Sequence, residues 1–317
     1  MTACKERKRN PVLPILGFLL LCALLIFSRD VIPWVQHGIL LCGKTIIPTL
    51  FPCMIACDML SSGAVMTSGH STLDKACRFL FGVPFLGMSA FFLGAICGFP
   101  IGTKIAADLY RCKKIYQKEL ACLLSFSNVT GPVFLVAGVG ISLFGSLKTG
   151  LFFYMIQVIS ALLCGLLAAR IPRKATDTSY QAPSRTDTQD FHVSTSVSKN
   201  AVSLLTVCGF VLLFSAICGI LSSLVKNEAL LTFIYSFLEV GGACAQAASL
   251  LQAMPRFSIL CATLAVNFSG MSVHLQAASF LSGIPFSFGR YILIKVMQAA
   301  FAILLSVIFF PLMGFGT

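Results

Sequence analysis

Charge is what this sequence has least of. Only 11% of its 317 residues are Asp, Glu, Lys or Arg, and just 11 are acidic. Soluble domains carry about 25%, so an ordinary soluble globular protein is excluded. Catalytic signatures are missing too. There is no Gly-x-Ser-x-Gly turn, no His-Glu-x-x-His pair and no Walker sequence, which removes the common nucleophile, zinc and nucleotide motifs. The four His residues (His37, His70, His192, His274) show no metal-ligand spacing. No Cys-x-x-Cys occurs among 14 cysteines, which are scattered and mostly lie in apolar segments. They read as small buried hydrophobes, and so many free thiols suggest folding outside an oxidising compartment. Neither an enzyme nor a cofactor or metal protein is expected.

What is abundant is apolar surface. Hydrophobic residues make up 57% and the mean hydropathy is +0.91. This is the composition of a polytopic membrane protein. The net charge of +12 does not point to nucleic acid, because the basic residues sit in short loops between apolar segments, where the positive-inside rule expects them.

Apolar segments fall near 12–28, 45–62, 79–97, 121–145, 150–170, 201–225, 229–251, 257–281 and 291–313. Each approaches the ~20 residues of a spanning helix. The expected fold is therefore all-α and polytopic, with about nine membrane segments, some broken or re-entrant, in two inverted-repeat halves. Lys5-Glu6-Arg7-Lys8-Arg9 before Val12 to Phe27 marks residues 1–33 as an uncleaved signal-anchor helix. Residues 34–170 form the first membrane half and 201–317 the second. Between them, 171–200 is polar and reads as a cytoplasmic linker. Residues 34–44 look amphipathic and either lie at the interface or extend the next helix. Cytoplasmic N- and C-termini put sixteen of the 23 basic residues in cytoplasmic segments.

The sharpest local feature is a break, Cys97-Gly98-Phe99-Pro100-Ile101-Gly102-Thr103-Lys104. Irregular backbone at membrane depth is tolerated only where protein or a water-filled cavity satisfies it. Such breaks point to transporter binding sites. The basic cluster 111–118 reaches the cytoplasm only if 98–110 folds back, so a hairpin is expected. Three further stretches interrupt apolar segments: Ser125 to Pro132, Asn267 to Gln276, and a polar face of 229–251 carrying Glu239, Gly241, Gly242 and Gln246. A weak internal repeat pairs 56–62 with 217–223 and 98–106 with 270–278, which supports inverted halves with a site between them.

The candidate substrate-binding residues are Gly98, Pro100, Gly102, Lys104, Ser127, Asn128, Gly270, Ser272, His274 and Gln276. Helix breaks offer N–H groups and Lys104 a full charge, a set suited to a small anion. Three alternatives stay open. Lys104 either lines the site, snorkels or pairs with Asp108 one turn on; Ser127 and Asn128 either line the site or satisfy a kink in a packed helix; and His274 is either a bonded core residue or a proton relay.

These stretches, with Pro48-Thr49-Leu50-Phe51-Pro52, resemble the YlbJ family of sporulation integral membrane proteins, also called SpoVV. The resemblance covers most of the membrane part. It departs from the family pattern at Phe99, Thr103 and Val129-Thr130. It implies a nucleoside-recognition, Gate-type domain related to concentrative nucleoside transporters. It also implies movement of dipicolinic acid across the outer forespore membrane of endospore-forming bacteria. A nucleoside or other metabolite carrier, and a non-transporting sporulation scaffold, are the alternatives. Expected partners are the lipid bilayer, a small anionic substrate, and either sporulation membrane proteins or further copies of the chain, with no nucleic acid.

Overall fold

A computed structural model describes residues 12–62, 71–171 and 192–313. Among them all regular structure is helical. A bilayer offers backbone N–H and C=O groups no water, and a helix satisfies them within itself. Five helices are long and apolar enough to cross a membrane: Ser28–Leu60, Leu147–Ala168, Val193–Leu224, Pro255–Phe280 and Phe288–Pro311. A sixth span arises if the pair Thr72–Phe81 and Phe85–Cys97, bent by 69°, counts as one. Large apolar side chains such as Phe18, Leu25, Leu205 and Leu304 are exposed, as a lipid-facing surface requires. The protein is an integral membrane protein.

Among the described residues, the five or six spans do not confirm the nine segments expected. The expected segments 121–145 and 229–251 are each cut in two, and 12–28 holds only the short helix α1 (Val12–Ile26). The amphipathic stretch 34–44 joins one long helix. That helix runs through α2 (Ser28–Leu41), a π-helical turn (Cys42–Ile46) and α3 (Ile47–Ser62). Of the polar linker, 172–191 lies outside the described residues, as do the chain ends 1–11 and 314–317. Residues 193–200 already belong to the long helix Val193–Leu224.

Numbering the remaining helices in chain order, α4 is Ser71–Phe81, α5 Phe85–Cys97, α6 Ile101–Arg111 and α7 Gln117–Phe126. A π-helix, Val133–Leu143, precedes α8 (Leu147–Ala168). The second half holds α9 (Val193–Leu224), α10 (Glu228–Leu238), α11 (Val240–Ser249), α12 (Pro255–Phe268), α13 (Gly270–Phe280) and α14 (Phe288–Met313). Each half thus repeats one order: a long helix, two broken helices, a closing helix.

The long helices run antiparallel from end to end. Ser223 Oγ donates to Asp30 at 2.6 Å near one end, and Asn200 Nδ2 donates to Asp58 at 2.8 Å near the other. Between these points small residues allow close approach. A Cβ on Gly219 would lie 2.8 Å from the Val31 backbone. The long helix α2–α3 and the helix Val193–Leu224 therefore run in opposite senses.

The break at Gly98 is the expected hairpin. Gly98 has φ +93°, and the Phe99–Pro100 bond is cis. From there α6 returns along α5: a Cβ on Gly94 would lie 3.0 Å from the Gly102 Cα, and one on Gly102 3.0 Å from the Ala90 carbonyl. The breaks also pack in pairs. A Cβ on Gly98 would lie 2.8 Å from the Gly131 nitrogen, and one on Gly270 2.9 Å from the Leu238 carbonyl. Element order therefore matches Gly98 with Glu239 and Gly131 with Gly270. This corrects the sequence pairing of 98–106 with 270–278. Glycines recur wherever two backbones touch, so a short Gly-containing alignment selected a chemically similar but non-equivalent break.

A side chain at Gly102 would collide with the Ser127 carbonyl, with backbone on both sides and nothing flexible to yield. Gly102→Val is expected to destabilise by about 3 kcal/mol, the upper end for overpacking. Thermal unfolding in detergent measures it. Gly17→Ala, where nothing lies within 4 Å, should leave the midpoint unchanged.

Candidate functional site

One cavity lies where the two halves meet. It encloses about 590 Å³ of empty space, its open mouth included. Three of the breaks reach its wall, through Cys97 and Phe99, through Thr130 and Gly131, and through Glu239 and Val240, while the fourth contributes through Ser272, Val273 and Gln276 on the helix that follows it. The long helices complete it through residues including Thr45, Thr49, Val207 and Val211. A largely apolar concave site with a few placed polar groups is the usual form of a small-molecule pocket.

Its polar groups are held from behind. Gln157 on α8 receives the Thr130 N–H at 3.1 Å. It also donates to Thr130 Oγ1 at 2.9 Å and to the Val266 carbonyl at 3.2 Å, so it links second-break backbone to α12. Ser160, one turn on, donates to Asn267 Oδ1 at 2.8 Å. Gln276 Nε2 donates to Ser272 Oγ at 3.2 Å, while Gln276 Oε1 has no hydrogen-bond partner. Gln276 is 1% exposed. It presents a buried acceptor without a partner, a costly arrangement unless a ligand or water uses it.

Glu239 is the cavity's charged lining residue. It ends α10 and caps α11, accepting from Gly241 N at 2.9 Å and Gly242 N at 2.5 Å. Its two carboxylate oxygens thus satisfy N–H groups that an α-helix start leaves free. The sequence places Glu239 on one of the four stretches able to line a site, although it is not among the ten candidate substrate-binding residues. The signal was there: a lone Glu directly before Gly241-Gly242 in an apolar segment.

The ten sequence candidates divide. Ser272 and Gln276 line the cavity. Gly98, Pro100, Gly102 and Gly270 are buried and shape the breaks rather than supply side chains. Lys104 is elsewhere. It is 2% exposed and pairs with Asp58 on α3, with Asp108 at 4.0 Å. Asp58 also accepts from Ser196 at 2.7 Å and Asn200 at 2.8 Å on α9. The pairing with Asp108 weighed from the sequence is the looser of the two, because α3 brings a nearer carboxylate. Lys104 is neutralised in a bridge between the halves.

Ser127 is buried with its carbonyl against Gly94 and Gly102, while Asn128 and His274 belong to a second buried polar cluster. Asn128 Nδ2 donates to Tyr291 Oη at 2.9 Å, and His274 Nδ1 lies 3.2 Å from the same oxygen. Its centre is Lys295 on α14, fully buried, which donates to the Asn128 carbonyl at 2.6 Å and to Gln298 Oε1 at 2.8 Å. No carboxylate pairs with Lys295 among the described residues. A lysine held at membrane depth by carbonyl dipoles fixes the second break to α14, a role the sequence reading left unassigned. Its signal was a single Lys with Gln298 three residues on, inside the apolar run of α14.

With this geometry in place, comparison with known proteins is informative. The chain is similar to the sporulation integral membrane protein YlbJ of Bacillus subtilis strain 168, at 23% identity over 303 residues, covering 84% of this chain and 74% of that protein. This similarity supports the family resemblance carried by the sequence motifs. No family model and no solved structure matches the chain.

Removing one member of a buried ion pair leaves the other uncompensated, typically at a cost of about 3 kcal/mol. Asp58→Asn is expected to lower stability by roughly that amount in detergent melts. Lys104→Met combined with Asp58→Asn should recover most of the loss. Both charges lie outside the cavity, so the double variant should also keep any solute affinity the protein has.

Proposed function

We propose that this protein is a carrier that moves a small solute across the membrane by alternating access between its inverted halves. The observation that carries this reading is one cavity lined by three helix breaks and by the helix that starts at a fourth. Breaks of this kind offer backbone groups and a pivot. Relative motion of the halves would expose the same site to either side. An all-helical scaffold without transport would have no use for paired interruptions that cost backbone hydrogen bonds.

The substrate reading follows from the family resemblance: a small anion, with dipicolinate as the leading candidate, moved during endospore formation across the outer forespore membrane. The similar protein's name speaks of sporulation, which favours that setting. The cavity's apolar walls, with Phe99 and Phe134, suit a planar ring. Gln276 would read a polar edge. The termini lie on the cytoplasmic side in this reading, with lipid and the solute as the partners.

One observation favours a second reading. The charged lining residue is an acid, Glu239, and Lys104 is held away from the cavity. Acceptors of this kind suit a neutral solute bearing several donors, such as a nucleoside.

Both readings are tested by uptake of labelled dipicolinate into proteoliposomes. Uptake above that of protein-free vesicles is expected, with little competition from uridine. Gln276→Leu should raise the half-saturating concentration about tenfold, the equivalent of one good hydrogen bond donated by its remaining Nε2–H to a charged ligand. Uptake blocked by uridine would favour the nucleoside reading. Uptake equal to that of empty vesicles for both solutes would defeat the proposal.

A further inference from the structure

Glu239 poses a problem for an anionic solute, and its geometry suggests the answer. The carboxylate is 7% exposed, and no Lys, Arg or His lines the cavity with it. Its surroundings hold few groups able to change charge. His37 on α2, Cys42 in the π-helical turn, Cys218 on α9 and Cys244 on α11 are within electrostatic reach. Tyr235 on α10 donates its hydroxyl to the Cys218 carbonyl at 2.6 Å. From α13 come Ser272 and Gln276, which do not titrate, and the π-helix contributes no titratable side chain. Two negative charges in one poorly hydrated cavity repel strongly.

We propose that Glu239 is the proton-loading group of this carrier: it takes up one proton when an anionic solute enters the cavity and returns it when the solute leaves. The proton comes from the water on the side of entry and binds one carboxylate oxygen. It is released to the opposite side, so solute and proton travel together. The inference rests on the anion reading above.

The location explains why protonation would be felt by the fold. Ionised Glu239 occupies the N-terminus of α11 through Gly241 and Gly242, and that position also favours an external anion. A protonated carboxyl is a weaker acceptor, so loading the proton loosens the internal cap as the solute's own charge arrives. Glu239 also sits against Gly270, where the two second-half breaks touch. Its charge state therefore acts where the two breaks of the second half pack against each other. At the equivalent place in the first half stands Gly98, which has no side chain to titrate.

The test uses proteoliposomes of the full chain, with voltage held at zero by potassium and valinomycin. An outward-acid gradient of one pH unit should drive about tenfold accumulation of dipicolinate if one proton accompanies each molecule. A trapped pH dye should report acidification of the lumen as dipicolinate enters. E239Q, which keeps an acceptor for the cap, should still exchange solute measurably while losing accumulation driven by the gradient. Accumulation by E239Q that follows the gradient as in the unmodified protein would overturn the proposal. So would dipicolinate entry into vesicles of the unmodified protein without lumen acidification, a measurement that needs no variant to fold. Absence of any dipicolinate exchange would remove the anion reading and this proposal together, whereas exchange without proton movement removes the coupling alone.

Discussion

Everything in this structure depends on how broken helices are satisfied where water is scarce. A helix that stops inside a bilayer leaves free N–H and C=O groups, and the hydrocarbon supplies nothing to bond them. Here the breaks are brought together instead of being scattered. Gly98 abuts Gly131 in one half, and Gly270 abuts Leu238 and Glu239 in the other. Side chains complete the accounting: Gln157 takes the Thr130 N–H, Glu239 takes those of Gly241 and Gly242, and Lys295 takes the Asn128 carbonyl. The residues that support the breaks are therefore the polar residues of the membrane interior, and the cavity is what remains between the supported ends.

The same logic places the charges. A charged group inside a membrane protein is retained where a partner or a dipole compensates it. Lys104 has Asp58, and that pair ties α3 and α6 to α9 across the halves. Lys295 has carbonyl oxygens on a break and on its own helix. Glu239 has two backbone N–H groups at a helix start. Of the three, Glu239 reaches the cavity. It is therefore the group whose charge a bound solute would sense directly.

Much of the fold was legible because it follows from composition and local chemistry. Gly98, Pro100 and Gly102 announced a break, and basic residues 111–118 showed that the chain had to return. Gly131-Pro132 and Ser269-Gly270 marked the other interruptions. Which break touches which was not legible, because glycine reports a close approach without naming the partner. The role of Lys104 was misplaced for a related reason. Its partner Asp58 is 46 residues away, whereas Asp108, one turn on, was visible from spacing alone. Ser272 and Gln276 were legible as cavity-lining positions because polar residues just past a Gly break face where the backbone opens. Glu239 was visible on a candidate stretch but not singled out, and Lys295 was left unassigned, because single charges in apolar runs resemble interfacial residues until depth is known.

The match between the halves is one of backbone, and that limits what symmetry alone can explain. Equivalent breaks have equivalent packing, yet Gly98 and Glu239 occupy corresponding places with opposite chemical content. Inverted halves with identical side chains would give two access states of equal energy. A carboxylate on one side of the pair removes that equality and makes the balance depend on its proton. In the proposed carrier an inverted repeat would supply the two states, and an asymmetric charge at the second-half breaks would supply a reason to prefer one of them. The departure from symmetry at Glu239 is thus the feature through which a solute or a pH gradient would act on an otherwise balanced pair of halves.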